Sequence, residues 1–206
     1  YAKETARQFG PKLDWQTYDL SAVISDDDPD RLKRWVDDHP DSVAGLTAYI
    51  ETLLQRGEWA TAKPYVEKLV EAIPEARGAA SFAPWLARIH RELGETERER
   101  AVLEAYVRRA DAPVAELLRL ITLQQLDEDW AGVLDSTERL KGINPLMKSL
   151  HLAAGEAAER SGQDPAAIAA WQAQLALGTE DRAEAWFRLA QLWDKQQDPR
   201  AKRAVL

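Results

Sequence analysis

The residues of this sequence that could bind a metal ion or transfer a proton are few and scattered. His39, His90 and His151 lie far apart, and none belongs to an HExxH pair of the kind that binds zinc on a helix. The sequence contains neither a GxxxxGK phosphate loop nor a GxSxG nucleophile elbow. We therefore expect the histidines to serve in turns, in packing or in a binding groove. We predict no catalytic, metal-binding or cofactor-binding residue.

An aspartate run near the N-terminus is the best candidate for a cation site. Four aspartates match the first, third, fifth and twelfth positions of a calcium-binding loop: Asp26, Asp28, Asp30 and Asp37. Such a loop needs glycine at its sixth position, where this sequence has Arg31, and Pro29 favours the start of a helix instead. We expect the run to cap that helix and to favour the positive end of its dipole, not to bind calcium.

A pair of carboxylates, Glu156 and Glu159, could be mistaken for an acid–base pair. Three residues apart, they lie on one face of a helix. Glycoside hydrolysis needs two carboxylates that face each other across the substrate. The spacing therefore predicts a solvated helix face.

The eight tryptophans could form a stacking surface, but their positions favour packing. Trp59 and Trp130 hold equivalent positions at the starts of helices. Trp171, Trp186 and Trp193 fall on the faces of helices that the apolar pattern predicts to be buried. We predict that about six of the eight rings, these five among them, pack within the protein.

The composition is that of an all-α protein. Of the 206 residues, 45% are hydrophobic and 30% are charged, and good helix formers dominate. The formal net charge of −8 argues against a phosphate-binding surface, so we expect no nucleic acid partner. The absence of cysteine excludes a disulfide framework and a thiolate metal site. No apolar run is long enough to predict a membrane span.

Predicted turn positions, which we call marks, recur regularly along the chain and predict a repeat. Gly94, Glu128, Gly162 and Gln196 follow one another at steps of 34 residues, and Gly57 precedes Gly94 by 37 residues. Each mark separates two amphipathic helix patterns. Two helices in about 34 residues indicate a stacked helical repeat.

The sequence resembles the tetratricopeptide repeat (TPR) family at the glycines, small residues and tryptophans around these marks. The matching residues are Gly57, Trp59, Ala62, Leu69 and Pro74 in the first repeat, Trp130, Leu140 and Pro145 in the third, Gly155, Gly162, Ala167 and Trp171 in the fourth, and Trp186, Leu189 and Ala190 in the fifth. Two residues depart from the pattern, because Glu99 and Val133 replace the small Ala62-type residue. The resemblance implies an α-α superhelix, a TPR-like solenoid of antiparallel helix pairs, with looser packing at those two positions.

The repeats are predicted to occupy residues 42–206, as 42–76, 77–112, 113–147, 148–181 and a truncated unit 182–206. Residues 1–41 form an N-terminal helical and irregular segment in which the pattern assigns no role to Trp15 or Trp35. We expect the chain to be part of a longer protein. The truncated last repeat would then leave an apolar end that could self-associate.

The resemblance also implies where a partner would bind. In TPR proteins the first helices of the pairs line a concave groove, and the ligand contacts come from fixed positions of those helices. Carried over, these positions are Thr47, Glu51, Gln55, Arg88, Arg91, Glu92, Leu118, Thr122, Gln125, Leu152, Glu156, Glu159, Phe187 and Gln191. The lysine and asparagine clamp that some members use for C-terminal carboxylates is absent.

These observations favour a non-enzymatic interaction scaffold that docks a peptide, a partner protein or another domain of its own chain. A second hypothesis comes from residues 1–15, which resemble the exit from a preceding domain. In bacterial proteins of this layout that domain is often a gluzincin-type zinc peptidase, for which the repeats would be an accessory region. Two further classes stay open, an enzyme built as a closed helical toroid and an RNA-reading helical repeat, although the acidic charge disfavours the latter.

Overall fold

The computed structural model describes residues 20–21, 23, 29–74, 81–198 and 200. The bounded elements within these residues are ten α-helices, with no strand. They are α1 (Pro29–Asp38), α2 (Val43–Gln55), α3 (Trp59–Ala72), α4 (Ala83–Glu92), α5 (Thr96–Val107), α6 (Val114–Leu126), α7 (Trp130–Ile143), α8 (Lys148–Arg160), α9 (Asp164–Ala176) and α10 (Arg182–Lys195). The predicted all-α class is therefore confirmed.

The chain divides into two compact units, residues 1–102 and 103–206, with the boundary inside α5. In the N-terminal unit, α2 pairs with α3, and α1 packs on α2. In the C-terminal unit, α6 pairs with α7 and α8 with α9, and α10 packs on α9. Among the described helices, none is long and apolar enough to cross a bilayer.

The first helix of each pair ends in the same backbone turn. After α2, Gly57 adopts a φ of 73°, and the N–H of Glu58 donates to the carbonyl of Leu53 at 2.9 Å. This is a Schellman turn, in which a residue in the left-handed region closes the helix. The same long bond recurs after α4, α6, α8 and α10, at 2.8 Å each time. The turn reverses the chain and starts the second helix.

The structure corrects the last of the predicted marks. The left-handed residue after α10 is Gln197, at a φ of 57°, and not Gln196. Glu128 occupies the corresponding position after α6 at a φ of 54°. The last repeat step is thus one residue longer than predicted, because the backbone geometry falls on Gln197 where the sequence offers no glycine to mark it.

Two glycines leave room for the rings of two tryptophans. A side chain at Gly45 would place its Cβ 2.2 Å from the ring of Trp35, so α1 packs against α2 only because position 45 has no side chain. A Cβ at Gly155 would similarly lie 2.9 Å from Trp171, between α8 and α9. Trp35, whose role the repeat pattern did not predict, is buried in the core and stacks on His39 with ring centroids 4.2 Å apart.

The expectations for Glu99 and Trp186 need correction. Glu99 is fully buried, and its carboxylate lies 3.3 Å from Nε of Arg91, so an ion pair occupies a site that an alanine fills elsewhere. Val133 is also fully buried. Trp186 is 39% exposed and packs beside the buried Trp193, with ring centroids 6.4 Å apart, so it does not belong to the core as predicted.

Two glycine-to-alanine substitutions in the C-terminal unit should act in opposite directions. A Cβ at Gly162 or at Gly142 would meet no atom within 4 Å, so neither change creates a clash. Gly162→Ala forces alanine into the left-handed region (φ 68°) and should destabilise the fold by about 1 kcal/mol. Gly142→Ala lies inside α7 and should stabilise by up to about 1 kcal/mol. Denaturant midpoints of the two variants measure the difference, and shifts of the same sign would refute the role of the turn.

Candidate functional site

Three apolar side chains occupy equivalent positions on the first helices of the C-terminal unit. Leu118 lies on α6, Leu152 on α8 and Phe187 on α10, the last after the longer repeat step. Leu118 is half-buried, whereas Leu152 and Phe187 are 42% and 55% exposed. All three belong to the residues that the resemblance predicted to contact a partner. We call them the apolar row.

A second row of side chains lies one helical turn further along each helix. Thr122, Glu156 and Gln191 each follow an apolar-row residue by four positions and therefore share its face. All three are exposed, and the Thr122 hydroxyl donates to the carbonyl of Leu118 at 3.0 Å. We call them the polar row.

Side-chain bonds show that α6, α8 and α10 lie next to one another. Nε2 of Gln125 donates to a carboxylate oxygen of Glu156 at 3.5 Å, which joins α6 to α8. Nη1 of Arg188 donates to Glu159 at 3.3 Å, which joins α8 to α10. The two rows therefore form one continuous surface, which we call the docking face.

Glu159, another predicted contact, is held inside the unit. Its Oε1 accepts a bond of 2.5 Å from the indole Nε1 of Trp171, and its Oε2 accepts from Arg188. Arg188 also donates to Glu184, at 2.6 Å. Both oxygens of Glu159 thus connect α8 to α9 and α10, and its charge is balanced by Arg188.

Glu156 differs from Glu159 in having no ion pair with the described residues. Within the described residues, its one hydrogen bond comes from the neutral amide of Gln125. Burial raises the pKa of the Glu156 carboxyl above its usual range. Among its neighbours, Glu159 and Glu184 raise that pKa further, whereas Arg188 and Arg160 lower it. The charged form of Glu156 is therefore disfavoured in the folded protein.

In the N-terminal unit, the predicted contact residues on α4 interact with their own chain. The guanidinium of Arg88 lies 4.9 Å from the ring centroid of Trp59, and Arg91 pairs with the buried Glu99. In the C-terminal unit, Arg160 lies 5.7 Å from the ring of Trp130, which is equivalent to Trp59. The remaining predicted contacts, Thr47, Glu51, Gln55 and Glu92, are half-buried or exposed.

The sequence analysis missed an ionic cluster at the turn between α4 and α5. The Glu95 carboxylate accepts bonds from Nζ of Lys63 at 2.7 and 2.9 Å and from Nδ1 of His90 at 2.6 Å. The hydrogen bonds from Lys63 and His90 lower the pKa of Glu95 to about 2. The cluster fastens α3, α4 and the start of α5 together, which is a structural role. The thirty-two residues between Lys63 and Glu95 hid it from local patterns.

The other candidate metal ligands also have internal partners. His39 bonds to the carbonyl of Trp35 at 2.9 Å, and His151 bonds to that of Pro145 at 2.7 Å. Lys33 pairs with Asp37, one of the aspartates of the calcium pattern. Asp26 and Asp28 lie outside the described residues. Among the described residues, no group of three histidines or carboxylates could hold a metal ion.

Comparison with solved structures places the fold among helical-repeat proteins. YrrB, described as a TPR protein with an unusual peptide-binding site, superposes with a TM-score of 0.61 at 12% identity, over 82% of this chain and 84% of that chain. A tetratricopeptide repeat protein from Parabacteroides merdae gives 0.58 at 13% identity, over 92% and 76% of the two chains. The MamA protein gives 0.57 at 13% identity, over 78% and 84%. No family model and no curated protein matches the sequence.

These likenesses confirm the TPR-like helical-repeat fold, and at such low identity they establish the fold alone. They do not test the resemblance of residues 1–15 to the exit from a peptidase domain. Those residues also lie outside the described part of the chain. The peptidase alternative therefore remains a hypothesis.

Replacing Glu95 should weaken the fold in a pH-dependent way. Because the folded-state pKa of about 2 lies below the ordinary value of 4.5, the ionised carboxylate stabilises the protein above the ordinary value. That stabilisation is lost as pH falls from the ordinary value towards 2. Glu95→Gln should lower the thermal midpoint at neutral pH, and its difference from the natural protein should shrink with acidification. Glu71→Gln, at an exposed carboxylate on α3, is the control and should change little at any pH.

Replacing Glu156, unlike replacing Glu95, should raise the stability of the fold at neutral pH. A raised carboxyl pKa means that the folded state binds the proton more tightly than the unfolded chain, so ionisation at neutral pH costs stability. Glu156→Gln should raise the thermal midpoint at pH 7, and the gain should disappear well below the ordinary carboxyl pKa. The exposed Glu180, on the loop before α10, supplies the control Glu180→Gln. A loss of stability in Glu156→Gln at neutral pH would show that this carboxylate is structural.

Proposed function

We propose that this protein is a non-catalytic interaction scaffold, and that its docking face binds a polypeptide segment of a protein partner. The exposure of the apolar row carries the proposal. Leu152 and Phe187 expose 42% and 55% of their surface on adjacent helices whose other large apolar residues are buried, apart from Trp186 at 39%. Such an apolar surface beside polar groups is typical of a recognition site.

The polar row supports a polypeptide as the ligand. An extended segment has unpaired backbone N–H and C=O groups, which need partners when its side chains are buried. Thr122 and Gln191 of the polar row, together with Gln125 on α6, supply hydroxyl and amide groups beside the apolar row. A bound segment could pack apolar side chains on one row and bond through its backbone to the other.

The engagement of the reactive side chains supports a non-catalytic role. His90 is bonded to Glu95 in the ionic cluster, and His151 is bonded to a backbone carbonyl. A general base must reach a substrate proton. These histidines already have partners within the chain, so they fit structural roles better than catalytic ones.

The fold comparison supports a peptide ligand more weakly. YrrB has the same kind of fold and is described as having a peptide-binding site. At 12% identity its contact residues cannot be transferred, so the proposal rests on the residues of this chain. We place the site in the C-terminal unit because Arg88 and Arg91 of the N-terminal unit are held by Trp59 and Glu99.

The proposal can be tested by selecting ligands on the full chain from a displayed library of random decapeptides. Synthetic copies of the enriched peptides are then titrated by fluorescence anisotropy. The double variant Leu152→Ala/Phe187→Ala should weaken binding at least about tenfold, because burying such side chains contributes about 1.5–3 kcal/mol each.

The matched control is Leu146→Ala. Leu146 is 71% exposed but lies between α7 and α8, outside the docking face, so its removal should leave the affinity unchanged. Circular dichroism and unfolding midpoints check that the double variant is folded. Equal affinity of the natural chain and a folded double variant would place the binding site elsewhere.

A further inference from the structure

We infer that the segment bound on the docking face carries a lysine or arginine that pairs with Glu156, next to an apolar side chain that packs on Leu152 and Phe187. This inference rests on the proposed function and specifies the chemistry of the partner. It distinguishes a basic-apolar ligand from an acidic one and from a purely apolar one.

The charges of the face leave a cation as the missing partner. Arg188 pairs with both Glu159 and Glu184, at 3.3 and 2.6 Å, so its single positive charge is already shared between two carboxylates. Arg160, the other arginine that lowers the pKa of Glu156, lies over the ring of Trp130. Within the described residues no basic side chain pairs with Glu156. Its carboxylate is thus the site on this face that a ligand cation would complement.

The geometry around Glu156 suits a donor group. Gln125 donates to Oε2 of Glu156 and so fixes the carboxylate relative to α6. Oε1 of Glu156 accepts no bond from the described residues, and in the assigned orientation of the amide the carbonyl oxygen of Gln125 is also an acceptor. An ammonium or guanidinium group has several N–H donors and no acceptor, so it matches two neighbouring acceptors.

Although the Glu156 side chain is exposed, partial desolvation of its carboxylate adds to the same argument. The environment raises the pKa of Glu156, so its charge is held at a cost in the free protein. A ligand cation would remove that cost on binding. An acidic ligand would increase it, because Glu156, Glu159 and Glu184 lie together on this side of α8 and α10.

The spacing on α8 predicts a sequence pattern in the ligand. Leu152 and Glu156 are one helical turn apart, so their Cβ atoms lie about 6 Å apart. In an extended segment, alternate side chains point the same way and are about 6.6–7 Å apart. The basic residue should therefore lie two positions from a large apolar residue.

The peptide selection on the full chain tests the pattern when it is repeated with Glu156→Gln and Glu156→Lys. The natural chain should enrich decapeptides with a lysine or arginine two positions from a leucine, phenylalanine or methionine. Glu156→Gln should keep the apolar preference and lose the basic one, and Glu156→Lys should turn it towards aspartate or glutamate. Glu180→Gln, the control, should select like the natural chain.

A titration then measures the pairing itself. The probe is the most enriched synthetic peptide, compared with the same peptide carrying neutral norleucine in place of its basic residue. The replacement should weaken binding to the natural chain about fivefold, the upper range for an exposed ion pair. It should leave binding to Glu156→Gln unchanged, and added salt should remove the difference.

The outcomes distinguish the inference about Glu156 from the proposal that the docking face binds a polypeptide. Enriched peptides without a basic residue, or equal losses on the natural chain and on Glu156→Gln, would overturn the inference about Glu156. If those peptides still lost affinity in Leu152→Ala/Phe187→Ala, the docking face itself would stand. Peptides whose affinity is the same in that double variant would overturn both.

Discussion

The turn that closes the first helix of each pair is the constraint on which the rest of the structure depends. At each turn, one left-handed residue and one backbone bond spanning five residues end the helix and reverse the chain, as between Glu58 and Leu53. This reversal places the second helix against the first and keeps the repeat register. The register decides which positions of α6, α8 and α10 are buried and which remain exposed. The turns therefore determine which helix faces are exposed, and the docking face lies on those of α6, α8 and α10.

Much of this fold could be predicted from the sequence, because its controlling features are local. Apolar residues that recur every three or four positions indicate helices, and Gly57, Gly94 and Gly162 identify turns through a conformation that favours glycine. Where another residue adopts the same conformation, the step of 34 residues was the only guide, and it was right at Glu128 but wrong at the last turn. Gln197 carries no such signal, so the last step was placed one residue early. The backbone there follows the hydrogen bond of the turn and not the intrinsic preference of glutamine.

The partners that helices supply to one another could not be predicted from local patterns. The resemblance identified Arg88, Arg91 and Glu159 as exposed contact positions, yet each has an internal partner on another helix: Trp59, Glu99 and Trp171 respectively. One signal was available, since both Trp59 and Trp130 are followed about thirty residues later by an arginine that lies over the ring. The burial of Glu99 had no signal, because an isolated glutamate at an alanine position predicts only poor packing.

The described carboxylates with little exposure differ from Glu156 in their hydrogen-bond and charge partners. Glu95, Glu99 and Glu159 each have a cationic partner in the chain, as expected for charges removed from water. Glu156 is more exposed, its hydrogen-bond partner is a neutral amide, and partial desolvation raises its pKa. If the only role of Glu156 were to stabilise the stack, an uncharged residue would serve it better. The ligand cation that we propose would offset the cost of this charge on binding.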